Sequence, residues 1–390
     1  MLESLIVRTL LHQIAQQLRF EVPAWGLGGL QVKHIWLRSA CLGEGGRDAY
    51  EGDKRIVTVQ DGKALRANMA KSKPQQTLKT SISCAGVGVH TGAMVNMTFH
   101  PAAPNTGIVF RRTDLDPSEG GGADIPALAS SVGDTQLGTT ICAAGEYAAT
   151  ATVSTIEHVM AALAGCEIDN IIIDVDAAET PVMDGSSAPF VRLIECAGIE
   201  QQGAPRRYIR MLRPIEIAGL KKLALLEPHD GQSFEFEIDF ATPAIGQQAV
   251  AVELGADCFK KDISEARTFG FVKDVEALRS IGLARGSSLD NTVAIDNDEI
   301  LNEDGLRYDD EFVRHKTLDA IGDLYVLGAP VIGRYQGVRS GHALNNQLVR
   351  ALLDAPDAYE ITTEAPGAAV QAPAASGGSS GAMSAVAAPA

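Results

Sequence analysis

The sequence predicts an α+β fold made of two blocks with similar organisation. In each block, β-strands are followed by a helix, a further strand and a closing helix. The chain has 390 residues, more than one hydrophobic core usually includes, and its 45% of apolar residues can fill two cores. We therefore predict two domains, over residues 75–204 and 205–356, with flanking segments of different composition.

In the first block, strand patterns occur in TLKTSISCAGVGVHTG, VNMTFHP and GIVFRRTDL. A helix is predicted next, because Ser154 and Glu157 form a capping-box pattern before the run HVMAALAG, and Gly165 suits the end of a helix. The strand DNIIIDVDA and a helix with Pro189 in its first turn complete the block. The capping box offers a purely structural role for Glu157, worth about 1 kcal/mol.

The second block begins after GIEQQGAPRR, a polar stretch with Gly and Pro that is typical of a domain boundary. Strands are predicted in RYIRMLRPIEI, KKLALLEP and SFEFEIDF. An inserted helix, FVKDVEALRSIG, precedes the strand NTVAI, and the long helix DEFVRHKTLDAIGDLYVLG follows. The strand VIGRYQGV and a helix from about His342 to Leu353 close the block. The repeated order of elements indicates an internal duplication.

Both ends of the chain differ from the middle. Residues 1–74 contain glycine-rich stretches without a sustained period, and form either an accessory element or an extension from a start assigned too early, with translation beginning near Met69. Residues 357–390 are predicted to be a disordered tail, because their Ala, Pro, Gly and Ser cannot repay the entropy of ordering. The six cysteines show no CxxC pairing and are expected to be reduced.

Charge and hydropathy exclude some classes of function. The net charge of −16 argues against nucleic-acid binding, which needs clustered Lys and Arg. An anionic substrate would therefore be held by a few placed cations. No apolar run approaches the roughly 20 residues that span a bilayer, so we expect a cytoplasmic protein without stable membrane insertion.

The long helix of the second block contains the pattern that suggests chemistry. His315 and Asp319 are four positions apart and share one face, and Asp323 extends the stripe by a turn in an otherwise apolar helix. Burying these groups unpaired would cost several kcal/mol. An isolated HxxxD pattern is more often an ordinary polar contact. With His158 at the start of another apolar helix, however, two imidazoles and one carboxylate could form a three-ligand zinc centre that leaves a position for water.

Six segments resemble one known family in sequence and in order, from about Thr77 to Leu353. They are GVGVHTG, NTGIVFRRTDL, STIEHVMAALAGCEIDNIIIDVDAAETPVMDGSSAPFV, ARTFGF, LNEDGLRYDDEFVRHKTLDAIGDLYVLG and SGHALNNQL. The family is that of UDP-3-O-acyl-N-acetylglucosamine deacetylase. The resemblance implies two domains, each a sheet with helices on one face, the helices packed between the two sheets. It also implies zinc-dependent hydrolysis of the N-acetyl group, the committed step of lipid A biosynthesis.

The resemblance assigns roles to individual residues. His158, His315 and Asp319 match the ligands of Zn²⁺, a site that Fe²⁺ could also occupy. Glu157 matches the general base that takes a proton from the attacking water.

On the acid side, His342 matches the general acid or electrostatic stabiliser, and Asp323 the carboxylate that keeps it cationic. Thr268 matches a hydroxyl that stabilises the oxyanion. Without the resemblance, Thr268 would be an ordinary loop residue.

For the substrate, the resemblance places Lys316 and Arg339 near the diphosphate, Phe240 against the uracil, and an apolar acyl channel in the inserted segment with Phe269 and Phe271. The resemblance includes in this channel the other apolar residues of the segment, although helical spacing alone would more often indicate core packing. These residues are Val272, Val275, Leu278, Ile281 and Leu283.

The family resemblance favours a monomer. Two alternatives to the deacetylase function stay open. One is a zinc amidohydrolase for another N-acylated sugar, which would act on a substrate without the long acyl chain. The other is a catalytically silent protein that binds acylated sugar nucleotides. The intact set of candidate ligands, base and acid argues against the silent protein.

Overall fold

The computed structural model describes residues 72–367, which adopt a mixed α/β fold. The predictions for residues 1–71 and 368–390 lie outside the described residues. The α-helices of the described part are α1 (Glu157–Gly165), α2 (Ala188–Ala197), α3 (Ala256–Cys258), α4 (Val272–Ser280), α5 (Glu311–Tyr325) and α6 (His342–Leu353). The short α3 continues into a π-helical turn, Phe259–Ile263.

The strands divide evenly between the two halves of the described chain. The first ten are β1 (Pro74–Leu78), β2 (Ile82–Val87), β3 (Met94–Pro101), β4 (Ile108–Arg112), β5 (Asp124–Pro126), β6 (Val132–Asp134), β7 (Thr140–Cys142), β8 (Thr152–Val153), β9 (Ile171–Val175) and β10 (Ile199–Pro205). The others are β11 (Tyr208–Met211), β12 (Ile215–Gly219), β13 (Lys222–Glu227), β14 (Gln232–Asp239), β15 (Gln247–Glu253), β16 (Phe269–Phe271), β17 (Val293–Asp296), β18 (Glu299–Ile300), β19 (Val331–Val338) and β20 (Tyr359–Thr362).

The main sheets of the two halves have the same order and direction of five paired strands. The first sheet runs β2-β3-β9-β4-β5, with β9 and β4 parallel and the other pairs antiparallel. In the second sheet the path β12-β13-β19-β14-β15 repeats this pattern, with β19 and β14 parallel, and β11 and β20 extend the sheet to seven strands. Helices α1 and α2 flank β9 in sequence as α5 and α6 flank β19. The prediction of two similar halves is confirmed.

Each half also has an insert between its last paired strand and its first long helix. In the first half the insert is the small sheet β6-β7-β8, and in the second it is the sheet β16-β17-β18 with helix α4. Because both inserts directly precede a helix that bears candidate metal ligands, they can reach the same site.

Helices α1 and α5 pack against each other between the two sheets. Nearly every residue of both helices is buried, as expected for helices covered on all sides. Helix α1 also contacts α2, which lies on β2, while α5 lies on β14 and β15. A Cβ at Gly322 of α5 would stand 3.0 Å from the Glu157 Cα of α1, so glycine permits this close approach. The predicted layering of helices between two sheets is confirmed.

Local predictions failed where tertiary contacts replaced local ones. The capping box is wrong, because Ile156 precedes α1 without a side-chain cap, while Ser154 Oγ accepts a bond from Thr140 and Glu157 bonds elsewhere. Thr155, with a φ of 57°, turns the chain between them. The stretch GIEQQGAPRR was not predicted to form a strand, but it contains β10, which pairs with β1.

Three further strand assignments need correction. RYIRMLRPIEI contains two strands, β11 and β12, and the strand β15 was not predicted. Part of the predicted disordered tail is ordered, since β20 pairs with β11. None of the helices in residues 72–367 is long and apolar enough to cross a membrane.

Candidate active site

The first turn of α1 and the first nine residues of α5 bring His158, His315 and Asp319 together. Asp319 Oδ1 lies 3.3 Å from His315 Nε2 and 3.7 Å from His158 Nε2, and the two imidazole rings meet edge to face at 5.0 Å. One ligand atom from each residue lies within 4.8 Å of the others. All three side chains are buried. Within residues 72–367, no other group of His, Cys, Asp and Glu meets this criterion for a metal ion.

The chemistry of this cluster fits a divalent cation. Asp319 Oδ1 is buried and, in the described part of the chain, has no hydrogen-bond partner, which is costly for a carboxylate oxygen. Burial lowers the pKa of His315 to about 3, so this imidazole is neutral and can ligate. Its Nδ1 lies 3.1 Å from the Ala266 carbonyl oxygen, which leaves Nε2 facing the cluster.

The charge of Asp319 is maintained by its neighbours. Burial alone would raise the pKa of Asp319, but the Lys316 ammonium beside it holds that pKa well below its ordinary value. Lys316 Nζ donates to Asp319 Oδ2 at 2.7 Å, so the two carboxylate oxygens differ in role. One oxygen binds the lysine, and the other faces the imidazoles.

Glu157, adjacent to His158, points its carboxylate toward the first insert. Thr139 donates its backbone N–H to Glu157 Oε2 at 2.9 Å. Burial raises the pKa of Glu157, which is only 3% exposed. A carboxyl group with a raised pKa is suited to accept a proton near neutral pH.

His342 begins α6 and is held by Asp323 of α5. The His342 Nδ1 lies 2.9 Å and 3.1 Å from the two Asp323 carboxylate oxygens. Burial alone would lower the pKa of His342, but Asp323 and Glu157 raise it to about 10. Its Nε2 lies 4.0 Å from Asp319 Oδ2, so a cationic imidazole stands beside the candidate metal ligands.

Two residues that hydrogen-bond to Asp323 were not predicted from the sequence. Thr139 Oγ1 donates to Asp323 Oδ1 at 2.7 Å, and Asn345 Nδ2 donates to Asp323 Oδ2 at 2.8 Å. Thr139 therefore contacts both the candidate base, Glu157, and the carboxylate behind the candidate acid. Asn345 lies in the segment SGHALNNQL and could have been found from the position of His342 one helical turn earlier. No short pattern marks Thr139.

The aromatic residues predicted to bind substrate form one cluster beside His315. The Phe269 ring stands 6.2 Å from the His315 ring and 5.8 Å from Phe240, and Phe240 stands 6.2 Å from Phe271. Lys316 Nζ lies 5.7 Å from the centre of the Phe269 ring. This cluster joins the second insert to the metal-ligand helix.

Two other predicted residues lie on neighbouring elements. Thr268 is half-buried, with its backbone bonded to Gly185 and Val293, two residues after the carbonyl that holds His315. Arg339 follows β19 with a φ of 48°, and forms an ion pair with Asp239. The structure thus places Arg339 at the carboxyl end of β19, an interior strand of the second sheet, three residues before His342.

Comparison with known proteins identifies, over most of the chain, the same family that the sequence segments resemble. The sequence profile of the UDP-3-O-acyl N-acetylglycosamine deacetylase family matches residues 75–354. The chain belongs to this family. A UDP-3-O-acyl-N-acetylglucosamine deacetylase from Idiomarina loihiensis is 53% identical over 291 residues, which cover 74% of this chain and 92% of that relative. Membership of the deacetylase family confirms the prediction of a hydrolase that acts on an amide in lipid A synthesis.

Proposed function

We propose that the chain removes the N-acetyl group of UDP-3-O-acyl-N-acetylglucosamine, with Zn²⁺ held by His158, His315 and Asp319. The observation on which the metal site rests is the buried Asp319 Oδ1, which faces two imidazoles and has no hydrogen donor among the described residues. Two nitrogens and one oxygen are a common ligand set for catalytic zinc. When bound, zinc would polarise the amide carbonyl and make water more acidic.

Glu157 is the base in this proposal. Its carboxylate takes a proton from the water that attacks the acetyl carbon, and the raised pKa matches that task at neutral pH. The Thr139 N–H fixes one carboxylate oxygen, so the other is available for the proton. Because Glu157 precedes His158 in α1, the base and a candidate ligand move together.

His342 is the acid and electrostatic stabiliser. Asp323 orients the ring through Nδ1 and keeps it cationic, which leaves Nε2–H for the oxyanion or for the departing nitrogen. Transfer of this proton to the nitrogen breaks the C–N bond and gives acetate and the free 2-amine. Thr268 would add a hydroxyl donor to the oxyanion.

The family resemblance supports the remaining substrate contacts. Lys316 and Arg339 supply cations for the diphosphate of an anionic substrate in an otherwise acidic protein. Phe240 would stack on the uracil, and Phe269 and Phe271 would contact the acyl chain. Helix α4 supports an apolar channel, because none of its residues is buried within the described residues 72–367.

The test is acetate release from the acylated sugar nucleotide by the purified protein, with and without a chelator. We expect activity that chelation removes and about one equivalent of Zn²⁺ restores. A parallel assay with Fe²⁺ identifies the metal that supports faster turnover. Equal activity on an N-acylated sugar without the long acyl chain would favour the alternative amidohydrolase, and activity that survives chelation would contradict the metal mechanism.

A further inference from the structure

Glu179 is a buried carboxylate outside the metal-ligand cluster. It is 1% exposed and accepts four hydrogen bonds. His90 N and Thr155 Oγ1 donate to Oε1 at 2.9 and 3.2 Å. Thr91 donates to Oε2 twice, from its N–H at 3.0 Å and from its hydroxyl at 2.8 Å. A buried anion held by fixed donors defines the relative positions of the segments that supply them.

One of these segments leads to the candidate base. Thr155 lies two residues before the start of α1 and has a left-handed φ of 57°, a conformation that costs a β-branched residue free energy. Glu179 binds its hydroxyl, and Thr180 Oγ1 donates to its carbonyl oxygen at 2.5 Å. Glu157 follows two residues later, so the strained entry to α1 is held on both sides by one short segment.

The other segment leads to the second insert. Residues 88–92 form a tight turn, in which His90 and Thr91 bind Glu179 through their N–H groups. On its other side this turn accepts two backbone bonds from the insert, from Arg285 N to the His90 carbonyl and from Gly286 N to the Val89 carbonyl, both at 3.1 Å. The turn therefore lies between Glu179 and the insert.

The insert offers apolar surface that the protein itself does not bury. The apolar residues of α4 are only half-buried, and Ile281, which follows the helix, is 69% exposed. At its other end the insert contacts the metal-ligand helix through Phe269, whose ring stands 4.9 Å from Phe312. An apolar ligand on this surface would restrain the insert and, through the turn, Glu179.

We propose that Glu179 is a positioning residue that couples an acyl chain on the second insert to the placement of Glu157. The proposal rests on the proposed deacetylase function. Its consequence is that the acyl chain increases the rate of the chemical step as well as binding. Such coupling would make Glu179 a determinant of acyl specificity without contacting the substrate.

The experiment compares two substrates, the long-chain 3-O-acyl sugar nucleotide and its 3-O-acetyl analogue. Glu179→Gln removes the charge and one acceptor but keeps the size of the side chain. We expect kcat on the long-chain substrate to fall about tenfold with KM changed less than about twofold, and kcat on the analogue to fall less than about twofold. Zinc content and thermal unfolding are measured on the same preparations.

Two further variants keep the test decisive. Glu200→Gln changes an exposed glutamate on β10 and should leave both rates unchanged. Thr91→Val removes the hydroxyl that donates to Glu179, together with its weaker bond from the Ala93 N–H at 3.3 Å, and keeps the Thr91 N–H. It should reproduce the selective loss with a smaller fold-change even if Glu179→Gln does not fold. An equal loss on both substrates, or no loss in either variant, would overturn the coupling. Wild-type protein that is inactive on both substrates would instead contradict the proposed function.

Discussion

The contact between α1 and α5 at Gly322 gives a sharp prediction about the metal site. A Cβ at this position would lie 2.8 Å from the Glu157 carbonyl carbon and 3.0 Å from its Cα, and the carbonyl oxygen is nearer still. Non-bonded carbon atoms prefer about 3.5–4.0 Å. Because the obstructing atoms belong to the backbone, Gly322→Ala should force the two helices apart by about 1 Å.

This displacement would act directly on the candidate ligands. His158 follows Glu157 on α1, whereas Asp319 precedes Gly322 by less than one turn on α5. Metal–ligand distances tolerate only about 0.2 Å. We therefore expect zinc affinity to fall at least about tenfold and kcat/KM about 100-fold, with about 1–3 kcal/mol less free energy of unfolding from overpacking.

The assay combines a zinc competition titration, steady-state deacetylation and urea unfolding of the same preparations. Gly203→Ala is the matched control, because a Cβ there meets nothing within 4 Å. It should leave all three quantities unchanged. If Gly322→Ala bound zinc with wild-type affinity and turned over within about twofold of wild type, the close helix contact could not be what sets the ligand geometry.

The remaining predictions concern the metal, the base, its support and acid stability. His315→Ala should lose both zinc and activity, whereas Glu157→Gln should keep zinc and lose at least about 100-fold in turnover, as metal analysis and rate assays can decide. Thr139→Val removes the hydroxyl bond behind the candidate acid and should lower kcat about tenfold, with Thr139→Ser restoring it; a serine variant no better than valine would refute this role. The hydrogen bond from Arg112 lowers the pKa of Asp114 in the folded protein. The stabilisation that this carboxylate gives to the fold is therefore present above its unfolded pKa of about 3.9 and is lost as pH falls through its folded pKa. The destabilisation caused by Asp114→Asn, about 1–2 kcal/mol in urea at pH 7, should therefore shrink at pH 3, and a constant difference would contradict the assignment.

The repeated fold was predictable because its signals are local. Strand and helix patterns recur in the same order in both halves, and the pairing paths of the two main sheets repeat accordingly. Edge elements were harder to predict. The strand β10 is polar because it is largely exposed. In β15, QQAVAVE, only the four residues 249–252 are apolar, and none of the strand is buried because it forms the edge of the second sheet, so neither strand has the long apolar pattern of a central strand.

The parts of the site that could be predicted from sequence patterns are those whose residues are close together in the sequence. His315 and Asp319 share a helix face by spacing alone. Their distance to His158, which is 157 positions before His315, depends on how two separate helices pack. The family resemblance supplied that link. The local pattern at Glu157 was misleading, since the carboxylate bonds to Thr139 of the first insert rather than to its own helix. Thr139 binds Glu157 through its backbone N–H and Asp323 through its hydroxyl. Because nearly every residue has a backbone N–H, the residue type does not reveal the first of these bonds.

The most direct test of the metal centre is anomalous diffraction at the zinc edge from crystals of the zinc-loaded protein. The proposed assignment predicts one strong peak per chain, about 2.0–2.2 Å from a nitrogen of His158, a nitrogen of His315 and an oxygen of Asp319. A peak bound elsewhere, or one that excludes His158, would contradict it.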